Sequence, residues 1–254
     1  MKGKRLYVFI SVGIIIFLCG LFSGHDWTLY AMRYADLQNP EIYSRFMKLP
    51  VTFICMLLTW MILKDGFDRK DTWKLSAAYT LMMLGDIIFL DNQAEYIHKI
   101  NMSVIGVCCF ALAHLTLICR NAAGIRGYAS KGRLLVPLVL IMGVSMALMF
   151  LVFYPMLKEN MPYFYTLLGY AIIIAGSLWA ALAAFQIGFF PRGNALLVAV
   201  GVLCFFLSDV CVGFYRSLPA GYERLFFTYI TWVFYAPALV LTALSGYDLK
   251  KLFG

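Results

Sequence analysis

The chain has 254 residues, 63% hydrophobic and 13% charged, with a net charge of +8 and a mean hydropathy of +0.82. A soluble domain carries about 45–50% apolar and about 25% charged residues, so the composition excludes a soluble globular protein and predicts an all-α, polytopic membrane bundle. Nucleic-acid binding is excluded as well: Lys and Arg sit between apolar runs, where the positive-inside rule puts them, and form no basic stripe with interleaved aromatics.

A helix needs about 20 apolar residues to cross a bilayer. Eight runs are predicted to do so: 6–23, 46–63, 73–90, 102–119, 134–154, 163–187, 195–215 and 226–245. They read as one integral domain over 1–254. The first run follows Lys2, Lys4 and Arg5, like a signal peptide, but seven more spans follow and no small-x-small cleavage site is convincing, so it reads as a membrane helix. At its end, Gly20-Leu-Phe-Ser-Gly24 predicts close helix packing. The connection 24–45 carries aromatics and charges and has room for an interfacial helix.

With the N-terminus inside, the inner segments hold fourteen Lys and Arg: Lys2, Lys4, Arg5, Lys64, Arg69, Lys70, Lys74, Arg120, Arg126, Lys131, Arg133, Arg192, Lys250 and Lys251. The outer segments hold seven: Arg33, Arg45, Lys48, Lys99, Lys158, Arg216 and Arg224. This bias puts both termini in the cytoplasm, of a plasma or inner membrane in a bacterium and an endomembrane in a eukaryote. The seven cysteines lie in apolar runs and read as small core residues; His25, His98 and His114 are scattered, so no zinc site is expected.

Ionisable residues inside the spans are the exception to this apolar pattern. Asp86 follows Gly85 in the third span and Asp209 follows Ser208 in the seventh. Each lies late in a span of the same direction, so the two carboxylates land at similar depth, as a parallel four-helix repeat would place them. A carboxylate at a helix centre costs ~2.5–3.5 kcal/mol on insertion scales, so such groups are kept for a function or in a paired network. The apolar surround of Asp86 favours the protonated acid, which can serve as a general acid. If the two share a cavity, one proton between them is a natural arrangement. The competing reading is a buried network locking the third helix to the seventh.

His114, in the fourth span, suits interhelical hydrogen bonding, a proton relay or contact with a substrate headgroup. Thr228, Thr231, Tyr235 and Thr242 share a face of the last span, and Tyr163, Thr166, Tyr170 and Ser177 a face of the sixth; both stripes are expected to face a polar cleft or other helices. Lys48, in Met47-Lys-Leu-Pro50, either snorkels to the interface or meets a phosphate. No Gly-x-Ser-x-Gly, His-Glu-x-x-His or Walker-type loop occurs, which removes support for serine hydrolase, zinc protease and nucleotide-driven pump.

In chain order, Lys48-Leu49-Pro50, Gly85-Asp86, Gly106-x-x-x-Phe110-x-x-x-His114 and Ser208-Asp209 resemble the motifs of the YhhN family of membrane proteins, the lysoplasmalogenases. The resemblance covers the second to eighth spans. It implies hydrolysis of the vinyl ether bond of a lysophospholipid within the bilayer, without metal or organic cofactor. Asp86, Asp209 and His114 would be catalytic, and Lys48, Ser208, Tyr170 and Tyr235 would contact substrate. One departure stands out: where the family carries Ala-Gln after its last-helix Tyr, this chain has Tyr235-Ala-Pro-Ala-Leu239, which implies a different specificity. Two other classes compete: a proton-coupled transporter, for which Pro237 hints at a broken helix, and a non-catalytic lipid-binding scaffold. Oligomeric state is not legible.

Overall fold

A computed structural model describes residues 2–32, 42–62, 66, 68–91, 99–130, 132–219 and 221–249. Eight helices follow one another, and no strand is formed among these residues: α1 (Lys2–Ala31), α2 (Ile42–Ile62), α3 (Arg69–Asp91), α4 (Lys99–Asn121), α5 (Gly132–Leu157), α6 (Met161–Ile187), α7 (Arg192–Ser217) and α8 (Tyr222–Leu244). Six of them, all but α2 and α3, are long and apolar enough to cross a membrane. Of α2, the described apolar stretch Met47–Ile62 is shorter than a full span, and α3 opens on Arg69, Lys70 and Asp71. The chain is an integral, multi-pass membrane protein.

Local chemistry sets the ends. The Asn160 side chain accepts a hydrogen bond from the Tyr163 N–H to start α6, with Pro162 in the first turn, and Gly188 closes it in the left-handed conformation (φ 66°). Pro191 introduces α7. Within α5, residues Leu148–Phe153 form a π-helical stretch. Pro155 follows directly; proline gives no N–H to the carbonyl four residues back, here Leu151, and crowds it, so the turn widens.

Two sequence expectations are corrected. α1 does not stop at residue 23 but runs to Ala31, which puts His25 and Asp26 in a helix rather than in a loop; residues 33–41 of that connection lie outside the described residues. The Gly20–Gly24 motif is no packing seam, since a Cβ at either glycine would meet nothing within 4 Å. Close approach occurs elsewhere: a Cβ on Gly85 would lie 2.6 Å from the Phe110 ring, and one on Gly106 2.9 Å from Phe89. This reciprocal contact clamps α3 to α4.

The largest core joins α1, α2, α3, α4, α7 and α8 around Leu58, Tyr79, Met82, Leu117, Phe205 and Leu239. α5 and α6 form a smaller one around Met149, Phe153 and Phe164. The outward faces of α1 and α5 are apolar, as for Phe17, Val139 and Leu151, which suits helices against lipid.

At the end where α3 begins, a buried network ties the chain's last segment to the bundle. Arg120 makes paired 2.9 Å bonds to Asp71, donates to Ser245 at 3.0 Å and lies over the Phe190 ring. Asn194 donates to the Ser245 and Tyr247 carbonyls. Deeper in, the Tyr79 hydroxyl donates to the Leu239 carbonyl, joining α3 to α8. Removing one partner of a buried ion pair strands the other. Asp71→Asn is therefore expected to cost about 3–5 kcal/mol, read as a lowered thermal unfolding temperature in detergent.

Candidate active site

The polar residues of the spans meet in two linked groups. In the first, Asp86 on α3 accepts through one oxygen, Oδ2, from the Thr52 hydroxyl of α2 at 2.6 Å and the Tyr235 hydroxyl of α8 at 3.1 Å. In the second, Asp209 on α7 accepts through Oδ2 from the Tyr170 hydroxyl of α6 at 3.1 Å, and His114 Nε2 of α4 lies 3.5 Å from the same oxygen. The other ring nitrogen, Nδ1, lies 3.2 Å from Ser177 Oγ. With Nε2 protonated toward the carboxylate, Nδ1 accepts from that serine. In both groups Oδ1 accepts no hydrogen bond from the described residues, which leaves one oxygen of each carboxyl for a proton, a water or a substrate.

Phe205, one turn before Asp209, joins the groups. Its ring meets the His114 ring at 5.6 Å and the Tyr235 ring at 5.8 Å. The two carboxylates lie within electrostatic reach of each other. Among the described residues they share no common hydrogen bond, the arrangement the sequence reading allowed; each has its own hydroxyl donor.

The arrangement repeats with an offset of four helices. Asp86 on α3 is served by α2 and α8; Asp209 on α7 is served by α6 and α4. Packing follows the same rule, with α2 against α3 and α8, and α6 against α7 and α4. The parallel repeat expected from Gly85-Asp86 and Ser208-Asp209 is thus carried by their hydrogen-bonding neighbours.

A half-open apolar cleft lies between α5, α6 and α7. Leu148, Met149 and Phe153 of the π-helical stretch form one wall, Leu167, Ala171 and Ile174 another, and Phe206, Val210 and Gly213 the third. Asp209, Tyr170 and Ser145 are its only polar residues. Ser145 bonds its own helix, so the cleft presents one carboxyl and one phenol to whatever enters.

Of the residues singled out from sequence, Asp86, Asp209, His114, Tyr170 and Tyr235 come together. Lys48 and Ser208 do not join them. Lys48 is 3% exposed, so it does not snorkel. Its ammonium pairs with Asp26 Oδ2 at 2.6 Å, between the Phe22 and Trp232 rings. Ser208 is buried and makes no hydrogen bond to either carboxylate among the described residues; one residue from Asp209, it points about 100° around the helix. In the α8 stripe, Thr228 and Thr231 return their hydroxyls to the carbonyls four residues back. α8 also passes through Pro237 without a break, so the hint of an unwound half-helix is gone. Thr52 and Asp26 were missed, and Ser177 was read only as part of the sixth-span stripe. Thr52 lies one turn beyond Lys48, the spacing that signals a shared helix face.

A family model for the YhhN family matches residues 43–246. These residues contain both carboxylates and every hydroxyl and imidazole around them. The chain belongs to the YhhN family. No curated protein matches it, and no solved structure does.

Thr52→Val keeps the side chain's shape and removes the donor to Asp86. Combined with Asp86→Asn it is expected to show coupling of ~0.5–3 kcal/mol in unfolding free energy, whereas combined with Tyr170→Phe, in the other group, it should add within about 0.5 kcal/mol. Equal coupling in both cycles would show that the groups act as one network.

Proposed function

We propose that this protein is an intramembrane hydrolase that cleaves the vinyl ether bond of a lysoplasmalogen-type lysophospholipid to a fatty aldehyde and a glycerophospho-alcohol. The observation that carries the reading is a carboxyl with one oxygen held by Tyr170 and the other without a donor among the described residues, set in the wall of a mostly apolar cleft and backed by an imidazole. The substrate class follows from the family resemblance; the chemistry follows from the site.

A vinyl ether breaks when a proton is delivered to the carbon two atoms from the ether oxygen. The adjacent carbon then becomes an oxocarbenium ion, water adds to it, and the hemiacetal collapses to aldehyde and alcohol. Asp209, as the carboxylic acid, gives that proton. The carboxylate it leaves faces the cation and takes a proton from the attacking water, which regenerates the acid. His114 moves the proton from the hemiacetal hydroxyl to the departing glycerol oxygen. Asp86, behind Phe205, adds negative field that favours the cation over the neutral ground state. The scheme parallels the two carboxyls of glycoside hydrolysis, which also passes through an oxocarbenium-like state. Tyr170 and Tyr235 fix the carboxyl orientations, and Lys48, paired with Asp26, steadies the helix that presents Thr52. No step calls for a metal or organic cofactor. With both termini in the cytoplasm, the site lies in the outer half of the membrane.

The test is aldehyde release from a vinyl-ether lysophospholipid by purified protein in detergent, with the ester analogue as control. Asp209→Asn is expected to lower the rate by ~10²–10⁴-fold, the range of general acid–base catalysis, with unfolding temperature retained, and Asp86→Asn to lower it by a smaller factor. No aldehyde from folded wild-type protein would overturn the reading.

A further inference from the structure

Two arginines, where α7 ends and α8 begins, are left unused by the proposed chemistry. Arg216, at the end of α7, is exposed and lies over the Phe89 ring at 4.8 Å and the Tyr215 ring at 5.6 Å. Arg224, in the first turn of α8, lies over the same Tyr215 ring at 4.7 Å and reaches its hydroxyl at 3.4 Å. Neither guanidinium meets a carboxylate among the described residues. Two cations on one ring repel each other unless an anion lies between them, and guanidinium groups suit phosphate because their N–H groups bind it in pairs.

We propose that Arg216, with Arg224, binds the phosphate of a single-chain phospholipid whose hydrocarbon chain occupies the cleft between α5, α6 and α7. Register along α7 supports the pairing. Asp209, Gly213 and Arg216 are four and seven residues apart and share one helix face, and seven residues rise ~10 Å. From a vinyl carbon through the ether oxygen and glycerol to phosphorus is seven bonds, about 8 Å when extended at ~1.2 Å per bond. The two lengths agree within the reach of one arginine side chain. Between them sits Gly213, where a Cβ would lie 2.7 Å from the Phe153 ring. A larger residue there would push Phe153, on the π-helical stretch, into the space the lipid needs. The assignment moves the anion site from Lys48, whose charge Asp26 already balances, to Arg216. It deepens the hydrolase reading but rests on it only for the position of the scissile bond.

The test is equilibrium binding to full-length protein in detergent of a radiolabelled saturated alkyl-ether lysophosphocholine, which the proposed chemistry cannot cleave. Arg216→Gln is expected to weaken this ligand about tenfold, with Arg216→Lys intermediate, while binding of the neutral 1-O-alkylglycerol stays unchanged. Gly213→Leu is expected to weaken both ligands, with unfolding temperature as the check on folding. Glycerol 3-phosphate, which lacks the chain, should not displace the lipid. Unchanged lipid binding in Arg216→Gln, or equal weakening of both ligands by it, overturns the headgroup assignment. Displacement by glycerol 3-phosphate overturns the lipid in favour of a free phosphate ester. Arg216-dependent binding without aldehyde release from the vinyl-ether counterpart leaves this site standing and removes the hydrolase reading.

Discussion

Inside a bilayer every polar group must find its partner within the protein, because hydrocarbon offers none and each unsatisfied group costs several kcal/mol. The structure is organised by that constraint. Two carboxylates at depth require donors, and the donors come from four other helices: Thr52 and Tyr235 for Asp86, Tyr170 and His114 for Asp209. Meeting the demand of α3 recruits α2 and α8; meeting that of α7 recruits α6 and α4. The hydrogen bonds that make the carboxylates tolerable thus also determine which helices are neighbours.

The same rule accounts for the buried cations at the two ends. Arg120 is balanced by Asp71 and roofed by Phe190, and Lys48 is balanced by Asp26 between Phe22 and Trp232. Both pairs are closed. The Asp209 group is open on one side, where the π-helical stretch of α5 leaves a cleft. A π-helical turn is rare and concentrates at functional sites because it gives up regular hydrogen bonding to re-aim side chains. Here it sets Met149 and Phe153 opposite the carboxyl-bearing face of α7. Closed pairs hold the bundle, while the Asp209 carboxyl opens on the cleft.

The partners of the two carboxylates follow a regular pattern. One four-helix unit supplies a helix with a carboxylate, a preceding helix with a hydroxyl and a following helix with a polar ring; two units placed side by side exchange their fourth helices' side chains across the centre. His114 of the first unit serves Asp209 of the second, and Tyr235 of the second serves Asp86 of the first. Departures from exact repetition, Thr52 against Tyr170 and Tyr235 against His114, give the two carboxylates different partners.

Eight helices and their order were legible in the amino-acid sequence, and so was the singular position of the two aspartates, because apolar run length and the cost of a buried charge are properties of the chain in any membrane. The ordered motifs also carried the family. Partners were not legible. Lys48 and Ser208 looked as eligible as Tyr170 and Tyr235, since one sequence shows which face of a helix a residue occupies but not which neighbour that face meets. Asp26 was hidden because Gly24-His-Asp26 resembles the end of a span, yet the helix continues once Lys48 is there to pair with it. Tertiary structure alone decided that the carboxylates sit in separate groups across Phe205, and that only Asp209 opens on the cleft. Hydrogen bonds between helices depend on packing at ångström scale, which the pattern of one strand of sequence does not contain.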